Sequence, residues 1–261
     1  MLGAIIGDVV GSRFEFNNIK SKSFKLVDKD SVFTDDTVLT IAVMDWLLHA
    51  EIKSSETGTE YLQKWARKYP NAGYGIMFSN WKDSENPKPY NSYGNGSAMR
   101  VSGVGWVSDD CMETKSLSDI ISGVTHNHFE GLKGAFVTMR LVQMARTGYS
   151  KKEMKGFAGK FYDLELDYDE LVANYKCEAP ICQTTVPQAI YCFLISNSFE
   201  DCLRTTISIG GDCDTTAAIS CAIAEAFYGY IPEELVQQVR DKLTPEMLEV
   251  VDEFKERYGG Y

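Results

Sequence analysis

The sequence is poor in the residue patterns that build zinc and disulfide sites. It has only three histidines, and its seven cysteines form no CxxC pair. Structural zinc sites normally need such spacing, so the common zinc classes are excluded. An odd number of cysteines in a chain of 261 residues also argues against a disulfide framework. We therefore expect free thiols, which are typical of a cytoplasmic protein.

Long apolar runs and excess basic charge are also lacking. No run reaches about 18 apolar residues, the length that predicts a membrane-spanning helix. Asp8 interrupts the apolar start of the chain and no basic region precedes it, so we expect no signal peptide. The net charge is −11, from 26 Lys and Arg against 37 Asp and Glu. Phosphate backbones bind clustered Lys and Arg, so we expect neither a membrane nor a nucleic-acid partner.

Apolar residues recur at helical spacing in much of the chain. The clearest such segments are 34–49, 128–146, 185–196 and 213–228. Residues 23–27 are a candidate for a short extended segment. The stretch from about 70 to 96 is rich in Gly, Asn, Pro and Tyr and predicts a long irregular region. We predict an all-α fold in which residues 1–261 form a single compact helical domain, and we expect a monomer.

Two pairs of acidic residues stand where helices are predicted to begin. Asp35 and Asp36 lie between two threonines, and Asp212 and Asp214 precede a segment of small residues. Helix capping explains either pair alone, because Asp and Thr are good N-caps. If the two helix starts meet, these four carboxylates would repel one another unless cations neutralise them. Carboxylate and hydroxyl oxygens favour Mg²⁺, with Mn²⁺ or Ca²⁺ as alternatives, over Zn²⁺.

Three glycines recur every four residues near the start of the chain. Gly3, Gly7 and Gly11 share one face if this segment is helical, and Glu15 continues the spacing. Such a face lets another helix approach closely, and the small-residue helix after the second acidic pair is the expected partner. Glu15 would then lie near the acidic pairs; the alternative is an ordinary surface glutamate. Asp8 is off this face, and we expect it to be a structural hydrogen-bonding residue.

Two further segments have residue types that occur in ligand sites. The run Ser92-Tyr93-Gly94-Asn95-Gly96-Ser97 permits positive φ, so that successive N–H groups can point at one anion. A helix predicted to start near Ser97 would add its N-terminus, although an ordinary turn is the simpler interpretation. The run Thr125-His126-Asn127-His128 holds two of the three histidines. No Cys or further His lies nearby to complete a metal site, so capping and hydrogen bonding are the simpler interpretation there.

Taken in order, these segments resemble the ADP-ribosylglycohydrolase family. The matching motifs are Gly3-Ala-Ile-Ile-Gly7-Asp8-x-x-Gly11 with Glu15, Thr34-Asp35-Asp36-Thr37, Tyr93-Gly94-Asn95-Gly96-Ser97-Ala98-Met99-Arg100, Thr125-His126-x-His128 and Gly210-Gly211-Asp212-Cys213-Asp214-Thr215. They extend over nearly the whole chain. The resemblance implies an all-α fold with two Mg²⁺ ions, or Mn²⁺, at the bottom of a cleft.

The resemblance also implies roles for individual positions. The implied metal ligands are Thr34, Asp35, Asp36, Asp212, Asp214 and Thr215, and the implied catalytic carboxylates are Glu15 and Asp35. ADP-ribose, through its diphosphate and distal ribose, would bind at Tyr93, Gly94, Asn95, Gly96 and Ser97, with His126 close by. Asp83 and Glu85 are candidates for an extra catalytic acid. Cys213 stands where many members have Ser or Thr, which leaves metal ligation unaffected.

The implied reaction is hydrolysis of the glycosidic bond between ADP-ribose and an acceptor, with release of ADP-ribose. An arginine- or serine-type protein linkage is the expected acceptor class, and a small-molecule acceptor remains open. Two alternatives also remain open. One is a two-metal phosphohydrolase that cleaves a nucleotide diphosphate bond and yields AMP. The other is a relative that binds ADP-ribose without catalysis.

Overall fold

The chain is built from helices, as the computed structural model shows for residues 1–177 and 179–259. Over these residues there are fourteen α-helices and one short 3₁₀ helix, Ser102–Trp106. The α-helices are α1 (Gly3–Gly11), α2 (Asp35–His49), α3 (Ser55–Lys68), α4 (Ile76–Asp83), α5 (Gly96–Arg100), α6 (Cys111–Gly123), α7 (Phe129–Arg146), α8 (Lys151–Ala158), α9 (Tyr168–Asn174), α10 (Cys182–Ile195), α11 (Phe199–Ile209), α12 (Cys213–Tyr228), α13 (Glu233–Arg240) and α14 (Pro245–Tyr258). The described residues form no strand, and the all-α prediction is confirmed.

Two local expectations differ from the structure. Residues 23–27 contain bends and no strand pairing. The region 70–96 is not irregular throughout, because it contains α4, which buries Phe78 and Trp81 three residues apart on one face. Ile76 and Met77 at the start of α4 are exposed apolar residues. They obscure the helical spacing, which is why the sequence pattern missed this helix.

Helices α1 and α12 pack at very close range. A Cβ atom added to Gly3, Gly7 or Gly11 would clash with the backbone of α12. The predicted glycine face therefore exists, and its partner is the predicted small-residue helix. Gly3 lies against Cys221 and Glu225 in the second half of α12, whereas Gly11 lies against Asp214 at its start. The two helices thus run antiparallel, and the end of α1 meets the start of α12.

The helices share one main hydrophobic core, which has buried members from Met1 to Phe254. All seven cysteines are free and five of them are buried. Cys192, Cys202, Cys213 and Cys221 are among the buried ones. The described chain is thus a single helical domain; its expected end at residue 261 lies outside the described residues. No helix in the described ranges is both long and apolar enough to cross a membrane.

Candidate functional site

Three helix ends meet on one side of the molecule: the end of α1 and the starts of α2 and α12. Oxygen atoms of Asp8, Asp36 and Asp214 lie within 4.8 Å of one another. Oxygen atoms of Glu15, Asp212 and Asp214 do the same, so Asp214 joins the two groups. The negative charges of Asp8, Asp212 and Glu15 also act on Asp35 and raise its pKa. We refer to these residues as the acidic cluster: Asp8, Glu15, Asp35, Asp36, Asp212 and Asp214.

Asp8 holds the start of α2 in place. Its fully buried carboxylate accepts hydrogen bonds from the Thr34 amide at 2.9 Å and the Thr34 hydroxyl at 2.7 Å. It also accepts from the Thr37 amide at 3.1 Å and from the Thr37 hydroxyl. Four donors to one carboxylate fix its position, in agreement with the structural role expected for Asp8. One of its oxygens nevertheless belongs to the cluster.

Helix α2 begins with Thr34 as its N-cap, and the Thr34 hydroxyl accepts a hydrogen bond from the Asp36 amide. The following carboxylates therefore occupy the first turn, where the helix dipole favours negative charge. Asp36 Oδ2 accepts from the Thr215 hydroxyl at 3.0 Å, which links α2 to α12. Asp36 Oδ1 is buried and has no hydrogen-bond partner in the described structure. This unsatisfied oxygen is a position where a cation would be stabilised.

At the start of α12, Asp212 is the N-cap residue, but its side chain does not cap the helix. Instead, Asp212 Oδ2 accepts a hydrogen bond of 2.6 Å from Asn95 Nδ2. The same Asn95 nitrogen donates to the Thr185 hydroxyl at 3.0 Å. Asp214 Oδ1 accepts from the amide of Thr215 at 2.9 Å. Asn95 thereby connects the predicted ADP-ribose loop directly to the acidic cluster.

The cluster is strongly perturbed electrostatically. Burial and the negative charges of Asp212 and Asp8 raise the pKa of Glu15 to about 7. Burial and neighbouring carboxylates raise the pKa of Asp35 to about 8. Burial is also the main reason why the pKa values of Asp36 and Asp214 rise well above the ordinary range. Within the described residues, no Lys, Arg or His forms an ion pair with any member of the cluster, so no ion pair offsets the repulsion.

Glu15 lies beyond the end of α1, since the helix stops at Gly11. The glycine spacing correctly predicts its position near the cluster, but a turn rather than a continued helix delivers it there. Asn18 fastens this turn. Its Nδ2 donates to the carbonyls of Glu15 and Gly211, and its Oδ1 accepts from the Gly211 amide at 2.8 Å. The backbone of Glu15 is thus tied to the residue that precedes Asp212.

The loop from Tyr93 to Ser97 leads into the short helix α5. Tyr93 is 45% exposed, and Gly94 forms an isolated bridge with Ile181. The Asn95 amide donates to the Pro180 carbonyl at 3.0 Å. Ser97 is fully buried and its hydroxyl donates to the Gly131 carbonyl at 2.8 Å. Neither the hydroxyl nor the backbone of Ser97 is therefore open to a ligand in the described structure.

The two histidines of the 125–128 segment have different positions. His126 is 5% exposed and lies behind the loop, with its Nδ1 atom 2.7 Å from the Thr125 hydroxyl. Burial, and then the charge of Arg100, lower the pKa of His126 well below its ordinary value. His128 is the N-cap of α7, and its Nδ1 accepts from the Glu130 amide at 3.1 Å. Neither histidine belongs to the groups of potential metal ligands in the described chain.

Comparison with known proteins decides the family. A sequence model of the ADP-ribosylglycohydrolase family matches residues 1–260. The chain belongs to the ADP-ribosylglycohydrolase family. The suspected resemblance is confirmed, and the protein is an ADP-ribosylglycohydrolase, an enzyme that hydrolyses the bond between ADP-ribose and an acceptor.

Several similar proteins support this conclusion. The enzyme is 28% identical to ADP-ribosylhydrolase ARH3 of Homo sapiens over an alignment of 315 residues. The alignment covers 91% of this chain and 87% of that protein. It is 24% identical to ADP-ribosyl-[dinitrogen reductase] glycohydrolase of Rhodospirillum rubrum, covering 96% of this chain and 92% of that one. A solved ADP-ribosylglycohydrolase-related protein complex contains a chain of the same fold. Its TM-score is 0.73 at 22% identity, and the match covers 98% of this chain and 95% of that chain.

Some residues of this ADP-ribosylglycohydrolase site had no sequence signal. Asn18 is one, because a single asparagine in a turn shows nothing of its distant partner. Tyr74 is another: its buried hydroxyl lacks a hydrogen-bond partner in the described structure, and the negative charge of Asp35 helps burial to raise its pKa. The two candidates for an extra acid, Asp83 and Glu85, are exposed. Asp83 pairs with Lys82, and neither residue belongs to the groups of potential metal ligands.

Proposed function

We propose that this enzyme uses bound Mg²⁺ to cleave the glycosidic bond between ADP-ribose and a protein acceptor, through an arginine- or serine-type linkage. One observation carries the proposal. Carboxylates from three helix ends converge without an ion pair to any basic side chain among the described residues, and one oxygen, Asp36 Oδ1, is buried without a hydrogen-bond partner. Such an arrangement is costly unless cations neutralise it.

The residues present fit a pair of hard divalent ions. We assign the ligands to Thr34, Asp35, Asp36, Asp212, Asp214 and Thr215. All of them offer oxygen atoms, which Mg²⁺ and Mn²⁺ prefer and which zinc sites rarely use alone. Two such ions would balance the four negative charges of the aspartates in this ligand set. When bound, they would orient the ribose hydroxyls and polarise a water molecule.

Glu15 is our candidate for the proton-transfer residue. A water molecule adds to the anomeric carbon as the glycosidic bond breaks, so one proton leaves the water and the departing acceptor gains one. A carboxylate whose pKa is about 7 can exchange a proton near neutral pH. Asp35 is the second candidate, with a pKa of about 8. Since Asp35 is also in the proposed ligand set, Glu15 is freer to take up the proton on its carboxylate oxygen.

The loop from Tyr93 to Ser97 is our candidate for the ADP-ribose site. Two of its side chains are not available to a ligand, because Ser97 is buried and the Asn95 amide is hydrogen-bonded to Asp212. The backbone at Gly94 and Gly96 and the exposed Tyr93 ring are the surfaces that remain. The hydrogen bond from Asn95 to Asp212 fixes the position of this loop relative to the acidic cluster. A substrate whose diphosphate rests on the loop would thereby present its ribose to the carboxylates.

The decisive experiment measures the product. Purified protein is incubated with arginine-linked and serine-linked mono-ADP-ribosyl peptides, with Mg²⁺ or with EDTA, and released ADP-ribose is quantified. Release that EDTA abolishes would support the proposal, and the peptide that reacts would define the linkage. AMP as the product would favour a phosphohydrolase. Binding of ADP-ribose without release from either peptide would favour another acceptor or a non-catalytic role.

A further inference from the structure

His126 has one ring nitrogen directed toward the ADP-ribose loop and the other toward the protein core. A Cβ atom added to Gly96 would lie 3.3 Å from His126 Nε2, and one added to Gly94 would lie 3.5 Å from it. The two glycines thus leave open the space beside this nitrogen. Nε2 has no hydrogen-bond partner among the described residues, whereas Nδ1 lies 2.7 Å from the Thr125 hydroxyl. Which nitrogen carries the proton decides what Nε2 can bind.

Arg100 favours one direction for the bond between Thr125 and His126, because it occupies one of the two lone pairs of the Thr125 hydroxyl. The fully buried Arg100 donates from Nη2 to the Thr125 hydroxyl oxygen at 2.7 Å and to the Ile121 carbonyl at 3.3 Å. A guanidinium group only donates, so the Thr125 oxygen must accept this bond. The Thr125 proton is then available to His126 Nδ1 at 2.7 Å, to the Ser122 carbonyl at 3.4 Å or to the Tyr90 hydroxyl, which also bonds to Thr125. Because the Tyr90 hydroxyl can donate its own proton to Thr125, the short contact to Nδ1 is the better bond for the Thr125 proton.

The charge state of His126 completes the argument. Burial and the positive charge of Arg100 lower the pKa of His126, so its ring is neutral at physiological pH. A neutral imidazole carries one proton, and a nitrogen that accepts a hydrogen bond cannot hold it. With Nδ1 accepting from Thr125, the proton resides on Nε2. The same buried network therefore sets both the charge and the tautomer of the ring.

We propose that Arg100 and Thr125 are positioning residues that hold His126 as the neutral Nε2–H tautomer, which donates a hydrogen bond to an oxygen of ADP-ribose on the Tyr93–Ser97 loop. The inference rests on the proposed function and adds the device that orients the donor. With the other tautomer, the Nε2 lone pair would face the same space and would repel a phosphate or ribose oxygen. The buried Arg100 thus acts on the ligand without touching it.

The tautomer can be measured without a substrate. The chain has only three histidines, so long-range ¹H–¹⁵N spectra of the ¹⁵N-histidine-labelled protein are simple to assign. We expect a pyrrole-type shift for His126 Nε2 and a pyridine-type shift for Nδ1 in the wild-type protein. A protonated Nδ1 would overturn the proposal, whatever the protein does to ADP-ribosylated peptides. If the Nε2–H tautomer is present but ADP-ribose does not bind, the proposed function is wrong, whereas the role of Arg100 and Thr125 in setting the tautomer remains supported.

Variants of Thr125 test the connection to the ligand. Thr125→Val removes the hydroxyl and should give a mixed tautomer with an ADP-ribose Kd raised about tenfold, the size expected for one hydrogen bond to a charged group. Thr125→Ser keeps the hydroxyl and should restore both readouts. Thr138→Val is the matched control, because the buried Thr138 hydroxyl has no partner in the described structure. An unchanged tautomer and Kd in Thr125→Val would refute the network, and Thr125→Ser keeps the test open if the valine variant fails to fold.

Discussion

The raised pKa of Asp35 makes the metal-free protein lose stability as pH rises, and Asp35→Asn isolates this effect. Burial and neighbouring carboxylates raise the pKa of Asp35 from 3.8 to about 8. Between these values the folded protein holds a proton that the unfolded chain has released. The free energy of unfolding therefore falls with increasing pH. Below about pH 4 both states are protonated and the penalty vanishes.

The size of the effect follows from linkage. One proton of difference corresponds to about 1.4 kcal/mol for each pH unit. From pH 5 to 7 the wild-type protein should thus lose about 2.7 kcal/mol relative to Asp35→Asn, which has no proton to release at this position. For a domain of this length, about 2.7 kcal/mol corresponds to a Tm difference of about 5 °C. His126, whose lowered pKa has the opposite effect on stability, is present in both proteins and cancels.

The assay is thermal unfolding of both proteins in EDTA at pH 5, 6 and 7, followed by the same series with Mg²⁺. In EDTA, Asp35→Asn should be the more stable protein, by a margin that grows with pH. Mg²⁺ should stabilise the wild-type protein most at pH 7, because deprotonated ligands bind the ion, and should stabilise the variant little. Glu249→Gln serves as the control, since Glu249 is exposed on α14.

A constant margin between Asp35→Asn and wild type from pH 5 to 7 in EDTA would refute this reasoning. It would mean that Asp35 is ionised in the folded protein, and that the cluster is open enough to water for its charges to be screened. Equal stabilisation of both proteins by Mg²⁺ would instead remove Asp35 from the ligand set.

Three further variants test separate parts of the structure. Asp214→Asn should abolish ADP-ribose release without lowering the Tm in EDTA, because the amide is neutral when buried and needs no proton uptake; full turnover would contradict the metal site. Gly7→Ala should cost about 1–3 kcal/mol in urea unfolding, since its Cβ would clash with α12, whereas Gly156→Ala on α8 has open space and should be neutral or stabilising. Asn18→Ala should lower kcat about tenfold with little change in KM, because it releases the backbone of Glu15 from Gly211; unchanged kcat would show that this bond does not position Glu15.

Features with a regular spacing or a local physical cause could be predicted from the sequence. The glycines at positions 3, 7 and 11 predicted a close helix contact, and the small-residue helix was its natural partner. That single contact brings the end of α1 to Asp214, so the convergence of distant carboxylates follows from a spacing of four residues. Capping at the first acidic pair has a local cause as well, since the Thr34 hydroxyl accepts from the Asp36 amide only two residues away.

Contacts between residues that are distant in the chain could not be predicted. Asn18 binds Gly211 across 193 positions, and Arg100 binds Thr125 across 25. Neither pair leaves a periodic pattern, because each bond depends on how the helices assemble. The helix α4 was missed for a different reason, since its exposed Ile76 and Met77 conceal the buried face. Periodicity therefore predicts which helices carry the site, whereas the positions of individual hydrogen-bond donors can be seen only in the structure.

The fold stabilises a site that would be unstable on its own. The acidic cluster opposes folding of the metal-free protein, since several of its carboxylates must stay protonated when buried. What holds them together is the close packing of α1 on α12, which depends on three glycines that carry no chemistry. A substitution on that glycine face should therefore weaken the affinity for the metal as well as the stability, because both depend on the same approach of the two helices. Parallel loss of Mg²⁺ affinity and Tm in Gly7→Ala, measured by titration and by thermal unfolding, is the expected signature of this coupling.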